Sequence, residues 1–187
     1  MWIEALIGTT MLAAVVVFLA PDRYAARLAF AVSLVPLAVS AAMYWLFDGV
    51  GNALLDPATD PAFQTQVAWF RLPGVFDSLQ WHVGVDGISM PLVALTTVLT
   101  SLAILSAWTP IGERQSQFYG LVLFMEAALL GVFTALDFFL WFVFWEFVLV
   151  PMYFLIGVWG GPRRKYAAIK FFVYTNVASL AMFIGFM

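Results

Sequence analysis

Two acids stand where an apolar chain has little reason to put them. Glu126 lies in LVLFMEAALLGVF and Glu146 in FVFWEFVLVP, each near the middle of a long hydrophobic run. Asp137 sits between the two runs, 11 residues after Glu126 and nine before Glu146. At about 1.5 Å per helical residue, both acids lie roughly 14–17 Å from the turn at Asp137. That is near the midplane of a ~30 Å hydrocarbon core. A carboxylate there costs about 2.5–3.5 kcal/mol on insertion scales, so such a residue usually faces a bundle interior and often marks an ion or proton path. Two carboxylates at one depth cannot both be cheaply ionised without cations or water, and a carboxyl that can exchange its proton is a relay. Pro151, five residues after Glu146, cannot donate to the carbonyl of Phe147, so the spacing predicts a kink or loosened turn beside the acid. Neighbouring groups or ordered water usually satisfy backbone freed in this way.

Each of these residues also has a plainer reading. A lone mid-span glutamate can serve as an interhelical hydrogen-bonding group, and this applies to both Glu126 and Glu146. Asp137 reads as a helix start or turn residue. Lys170, just inside the last apolar run, can snorkel toward the basic end of its span. His82 reads as a loop residue without a catalytic task. The run FFLWFVFW at 138–145 reads as packing against lipid and neighbouring helices. Trp159, beside Arg163, Arg164 and Lys165, reads as an interfacial anchor. GVDGIS at 84–89 lacks the lysine and spacing of a phosphate loop.

The elements that must position these groups are membrane helices. The 187 residues are 64% hydrophobic and only 10% charged, against about 25% charged in a typical soluble domain. Several runs approach the ~20 residues needed to cross a bilayer, and no long alternating pattern suggests a membrane barrel. The expectation is an all-α polytopic membrane helix bundle of six spans, at about 2–20, 25–47, 89–108, 117–136, 138–159 and 167–187. The first run carries Glu4 instead of the positive start of a signal peptide, so it reads as a retained span. The last residues, LAMFIGFM, are still apolar, which suggests that the fold continues past them. There is no cysteine and one histidine, which excludes thiolate metal sites and iron–sulfur ligation within the chain and disfavours histidine-built metal or haem sites. No basic tract suggests nucleic acid.

Arg23, Arg27, Arg114, Arg163, Arg164 and Lys165 fall in or beside alternate loops, so these loops share one side. Basic loops gather on the cytoplasmic side, which puts the N-terminus outside. The segment 48–88 is then an external loop. It holds Asp48, Asp56, Asp60, Asp77 and Asp86, fitting either avoidance of positive charge outside or a saline habitat. Within it, LQWHVGV (79–85) alternates Leu79, Trp81, Val83 and Val85, which predicts a short strand packed on the outer surface.

Three stretches carry a resemblance. FWEFVLVPMYFLIGVWGGPRRKYAAIKFFVYT (144–175), LQWHVGVDGISMPLVALTT (79–97) and FMEAALLGVFTALDFFLWFVFWE (124–146) resemble the antiporter-like membrane subunits of respiratory complex I, the proton-pumping NADH:quinone oxidoreductase. WGGPRRKYAAIKFFVYT favours the chain 4, or subunit M, branch. The resemblance implies one antiporter-like transmembrane domain over 1–187, part of a module built on inverted repeats with broken helices. It implies proton transfer through a line of Glu, Lys and His residues. Glu146 stands at the family's mid-membrane glutamate, Lys170 at its lysine in the helix after the basic loop, and Glu126 at an acid of its fourth helix. The family's other pumping residues, including the lysine expected to partner Glu146, lie beyond residue 187. No cofactor is implied in this chain; quinone, flavin and iron–sulfur groups belong to partner subunits. The implied partners are sister membrane subunits and the lipid bilayer, with the complex in a prokaryotic plasma membrane. A multisubunit cation/proton antiporter or a membrane-bound hydrogenase shares these motifs. A passive assembly subunit is the reading from a different class.

Overall fold

The computed structural model describes residues 1–47, 62–72 and 76–186. Its helices are α1 (Trp2–Leu19), α2 (Asp22–Leu46), α3 (Ser89–Ser106), α4 (Gln115–Thr134), α5 (Phe138–Trp159) and α6 (Arg164–Phe186). All six are long and apolar enough to cross a membrane. The chain is a polytopic membrane helix bundle. Two spans open three residues earlier than their hydropathy predicts: α2 starts at Asp22 and α6 at Arg164. Charged residues are tolerated in those first turns because they stand at the rim of the bilayer. The acidic positions Asp48, Asp56 and Asp60 lie outside the described residues.

The helix ends follow local chemistry. Asp137 caps α5, accepting hydrogen bonds from the backbone N–H groups of Phe139 (2.9 Å) and Leu140 (3.1 Å). Asp86 starts α3 in the same way, accepting from Ile88 N (2.9 Å) and Ser89 N (2.7 Å), while its own N–H donates to Ser89 Oγ (2.9 Å). Burial pushes the Asp86 carboxyl up, but the hydrogen bonds from Ser89 and Ile88 outweigh it and hold the group below its ordinary range. At the other end of the molecule, Asp22 Oδ1 accepts from Ser116 N (2.9 Å) and Ser116 Oγ (2.8 Å), so the first residue of α2 caps α4.

The alternating stretch is a strand, β2 (Phe76–Val85), with Leu79, Val83 and Val85 buried. Its partner is a strand that hydropathy had left within the external loop. β1 (Ala62–Leu72) pairs antiparallel with β2, aligning Thr65 with Val83 and Val67 with Trp81. The hairpin is sewn to the bundle: Leu136 N donates to His82 O (2.9 Å), and Val83 bridges to Ala135. His82 therefore lies in a strand and not a loop, with its Nε2 hydrogen-bonded to Gln64 Nε2 at 2.6 Å.

α1, α2, α3 and α4 pack as a bundle around two apolar clusters. The cluster at the hairpin end includes Ile3, Leu6, Met43, Val83, Val93 and Leu130. The cluster at the basic end includes Ala14, Val17, Ala29, Ile104, Tyr119 and Leu123. α5 lies against α4 and carries α6 on its other flank. The α4–α5 approach needs Gly131, since a Cβ there would run into the ring of Phe144.

Candidate functional site: two mid-membrane carboxyls

Between the two apolar clusters each helix of the first bundle buries polar groups. On α1 this is Thr10, between Ile7 and Ala14; on α2, Ser33 and Ser40; on α3, Thr96, Thr97, Thr100 and Ser101; on α4, Glu126. The result is a polar layer near mid-depth. Ser40 Oγ meets Thr97 Oγ1 at 2.7 Å, and Ser101 Oγ donates to Ser33 Oγ at 3.3 Å. Pro36 falls between Ser33 and Ser40, so the carbonyl of Val32 loses its intrahelical donor within the layer.

Glu126 is completely buried, and neither carboxyl oxygen has a hydrogen-bond partner among the described residues. Several hydroxyls of the layer give their protons to their own helices: Thr10 Oγ1 to Leu6 O (2.7 Å), Thr97 Oγ1 to Ala94 O (2.9 Å) and Ser33 Oγ to Phe30 O (2.9 Å). What these oxygens leave over is lone pairs. Such a layer is served by a protonated carboxyl or by water, both of which can donate.

Glu146 stands differently. It is half-buried on α5, and its Oε2 accepts from Asn176 Nδ2 of α6 at 3.2 Å while Oε1 is buried without a partner. Beside it, Trp145 Nε1 donates at 3.1 Å to Ser179 Oγ, about one turn past Asn176 on α6. These two bonds set the register of α5 on α6. Around them the seam is aromatic: Phe138 stacks on Phe183 and Phe186, and Tyr153 meets Phe172 edge-on. A cavity of about 230 Å³ between α4, α5 and α6 is lined almost wholly by apolar groups, among them Leu129, Met152 and Phe171.

The two acids share a depth. The ring of Phe124 on α4 meets that of Phe147 on α5, and Gly131 meets Phe144, so the contacts bracket Glu126 and Glu146 at one level. No hydrogen bond joins them among the described residues. Lys170 is not brought to either acid. It is exposed on α6, near the rings of Tyr166 (6.0 Å) and Tyr174 (5.6 Å). It lies six residues before Asn176, an axial offset of about 9 Å from the level of Glu146. Pro151 is buried within α5, and the helix runs on through it to Trp159. Trp159 Nε1 donates to Glu113 O (3.0 Å), pinning one basic loop to the next at the rim. Asn176 and the hydroxyl layer had not been singled out from the sequence. The signal was present, because an amide inside an apolar span needs a partner.

Residues 135–187 match the family described as NADH:quinone oxidoreductase/Mrp antiporter, transmembrane. Over 173 residues, 92% of its length, the chain is 40% identical to F(420)H(2) dehydrogenase subunit M of Methanosarcina mazei. Over 191 aligned residues, 98% of its length, it is 38% identical to NAD(P)H-quinone oxidoreductase chain 4 1 of Nostoc sp.. Over almost its whole length the chain is similar to these membrane subunits. It spans about a third of the length of these curated relatives, 33% in both cases. A similar fold appears in a solved structure of the membrane-bound sulfane sulfur reductase, an archaeal respiratory membrane complex. That match has a TM-score of 0.73 at 16% identity, covering 98% of this chain and 27% of the other. At such identity the likeness concerns the fold alone.

Proposed function

We propose that this chain is part of a proton-translocating membrane subunit of a quinone-reducing respiratory complex, in which Glu126 and Glu146 carry protons across the middle of the membrane. The observation that carries this reading is the pair of mid-span carboxyls at one depth, each with a buried oxygen lacking a partner. Such an oxygen is free to take a proton. At Glu146, Asn176 holds Oε2, leaving Oε1 as the atom at which the proton is taken and given. At Glu126, full burial without a hydrogen-bond partner favours a carboxyl that arrives with its proton.

The chain acts as a non-redox subunit of an NADH:quinone oxidoreductase-type translocase. Quinone, flavin and iron–sulfur chemistry resides in partner subunits, and sister antiporter-like subunits adjoin this one in the membrane. The electron donor follows those partners, since relatives are named for both F420H2 and NAD(P)H. The setting is a prokaryotic plasma membrane, with the N-terminus outside and the three basic loops inside. Lys170, at its axial offset, joins the relay through water or a further group.

The test replaces Glu146 with Gln in the assembled complex and measures quinone reduction and proton pumping together. Pumping is expected to fail and turnover to slow, with Glu146→Asp keeping part of both. Unchanged pumping in an intact complex rejects the relay. A cation/proton antiporter is the second reading, favoured by the family's description, which names Mrp antiporters beside the oxidoreductases. Sodium-dependent proton transport in vesicles, without quinone reduction, would select it.

A further inference from the structure

The basic end of the bundle holds a cleft of about 520 Å³ between the α3–α4 loop and the α5–α6 loop. Arg114, Arg164 and Lys165 line it, with Glu113, Gly157 and Trp159 among the other walls. Arg114 is the residue before α4 and takes left-handed backbone (φ 52°). Arg164 opens α6. Cations from two separate loops thus converge on one cavity. A single acid faces them, and none of the three is in an ion pair among the described residues. Arg164 Nη1 donates to Val158 O at 2.6 Å, which fixes its guanidinium at the C-terminal end of α5 while leaving other N–H groups free.

Charge asymmetry across the bilayer would be met by any arrangement of these loops, so it does not account for the cleft. Its depth is informative. Trp159 lines it at the last turn of α5, where amphipathic rings sit at the level of lipid headgroups. A cationic pocket between spans at this level has the chemistry to hold a phosphodiester headgroup.

We propose that this cleft binds the anionic phosphate of a membrane lipid, held by Arg114, Arg164 and Lys165. The site is independent of the carboxyl relay and does not rest on it. The headgroup ties the α3–α4 loop to the α5–α6 loop, supplementing the Trp159–Glu113 hydrogen bond that already joins them.

The test uses the delipidated protein in neutral detergent and reads bound lipid by native mass spectrometry. Phosphatidylglycerol should be retained in preference to phosphatidylcholine. Replacing all three cations with Gln should weaken phosphatidylglycerol binding on the order of 100-fold, about fivefold per basic residue. Arg163→Gln, which does not line the cleft, should change binding less than any one of the three. Should the triple variant fail to fold, Lys165→Gln alone should give the fivefold drop. Displacement of the lipid by inorganic phosphate would support a site for phosphate itself, and failure to displace it would support one for the whole lipid. Equal retention of the two lipids, or undiminished binding in the triple variant or in Lys165→Gln, overturns the proposal.

Discussion

Of the 18-residue apolar core of α4, which holds Glu126, 61% is buried; of α5, which holds Glu146, 22%, and of its partner α6, 11%. The two regions that hold the acids therefore meet their surroundings differently. α4 is enclosed by α1, α2, α3 and α5, and its acid sits in a layer of hydroxyls without a bond of its own. α6 touches α5 on one side and leaves Ile169, Val173, Val177, Leu180 and Ile184 exposed on others. Its neighbour's acid has an amide partner and an apolar cavity nearby. Solvation explains the contrast. A carboxyl fully enclosed by protein must keep its proton or have water, whereas one at a helix–helix seam can be held by a single donor and stay open on its other oxygen. If proton transfer needs both kinds of acid, neither environment can substitute for the other.

The strongest break of this comparison is to replace each carboxyl with a flexible apolar side chain. Glu126→Met deletes an unpartnered buried carboxyl and should raise the protein's resistance to unfolding by about 3 kcal/mol, the upper end of the cost of an unsatisfied buried polar group. Glu146→Met deletes a carboxyl that has a partner, and should change stability by less than about 1 kcal/mol. Denaturation of both variants in matched micelles checks this. Equal gains at the two positions would mean that the environments do not differ as their bonds indicate.

The next test concerns the surface that joins the two regions. Gly131 lets Phe144 lie directly on α4, and an added Cβ has no room without moving that ring. Gly131→Ala should destabilise by about 2 kcal/mol through overpacking. Phe144→Leu in the same protein should restore much of the loss, because it withdraws the ring atoms that clash. A Gly131→Ala variant as stable as the wild type would show that the α4–α5 contact yields freely.

Asp22→Ala probes the first region alone. Asp22 closes the α1–α2 turn onto the start of α4 by two hydrogen bonds to Ser116. Loss of a cap of this kind should cost about 1 kcal/mol. Ser116→Ala removes only the hydroxyl donor and should cost less, since the backbone bond persists. Hydrogen exchange at the first turn of α4 distinguishes a local fraying from a global loss.

How much of this was legible depends on which physical signal each feature leaves. The spans were, because runs such as those holding Glu126 and Glu146 have no other way to hide their backbone in lipid. The shared depth of the acids followed from counting residues to Asp137, and Asp137 is the cap that fixes the count. β2 was legible because Leu79, Val83 and Val85 alternate into the core. β1 was not: AFQTQVAWFRL shows no clean alternation, and its backbone leaves the regular path at Phe63 (φ 56°), beside a register shift. The hydroxyl layer was overlooked because serine and threonine are nearly neutral in hydropathy and do not interrupt a span. The facing of Glu146 could not be read, since a helix apolar on every side carries no rotational signal. Only contact with Asn176 orients it.

Asn176→Ala tests that orientation directly and should give the smallest effect. A polar contact between membrane helices is worth about 0.6 kcal/mol on average. The informative quantity is the coupling: Asn176→Ala and Glu146→Gln, made separately and together, should show non-additivity of that size. Trp145→Phe, which removes the neighbouring donor to Ser179, should add independently of Asn176→Ala if the two bonds act as separate pins. If Asn176 and Glu146 prove additive, the α5–α6 seam is held by stacked aromatics and the Trp145–Ser179 bond. Glu146 would then turn freely between its neighbours, and the contrast with the enclosed Glu126 would become one of mobility more than of bonding.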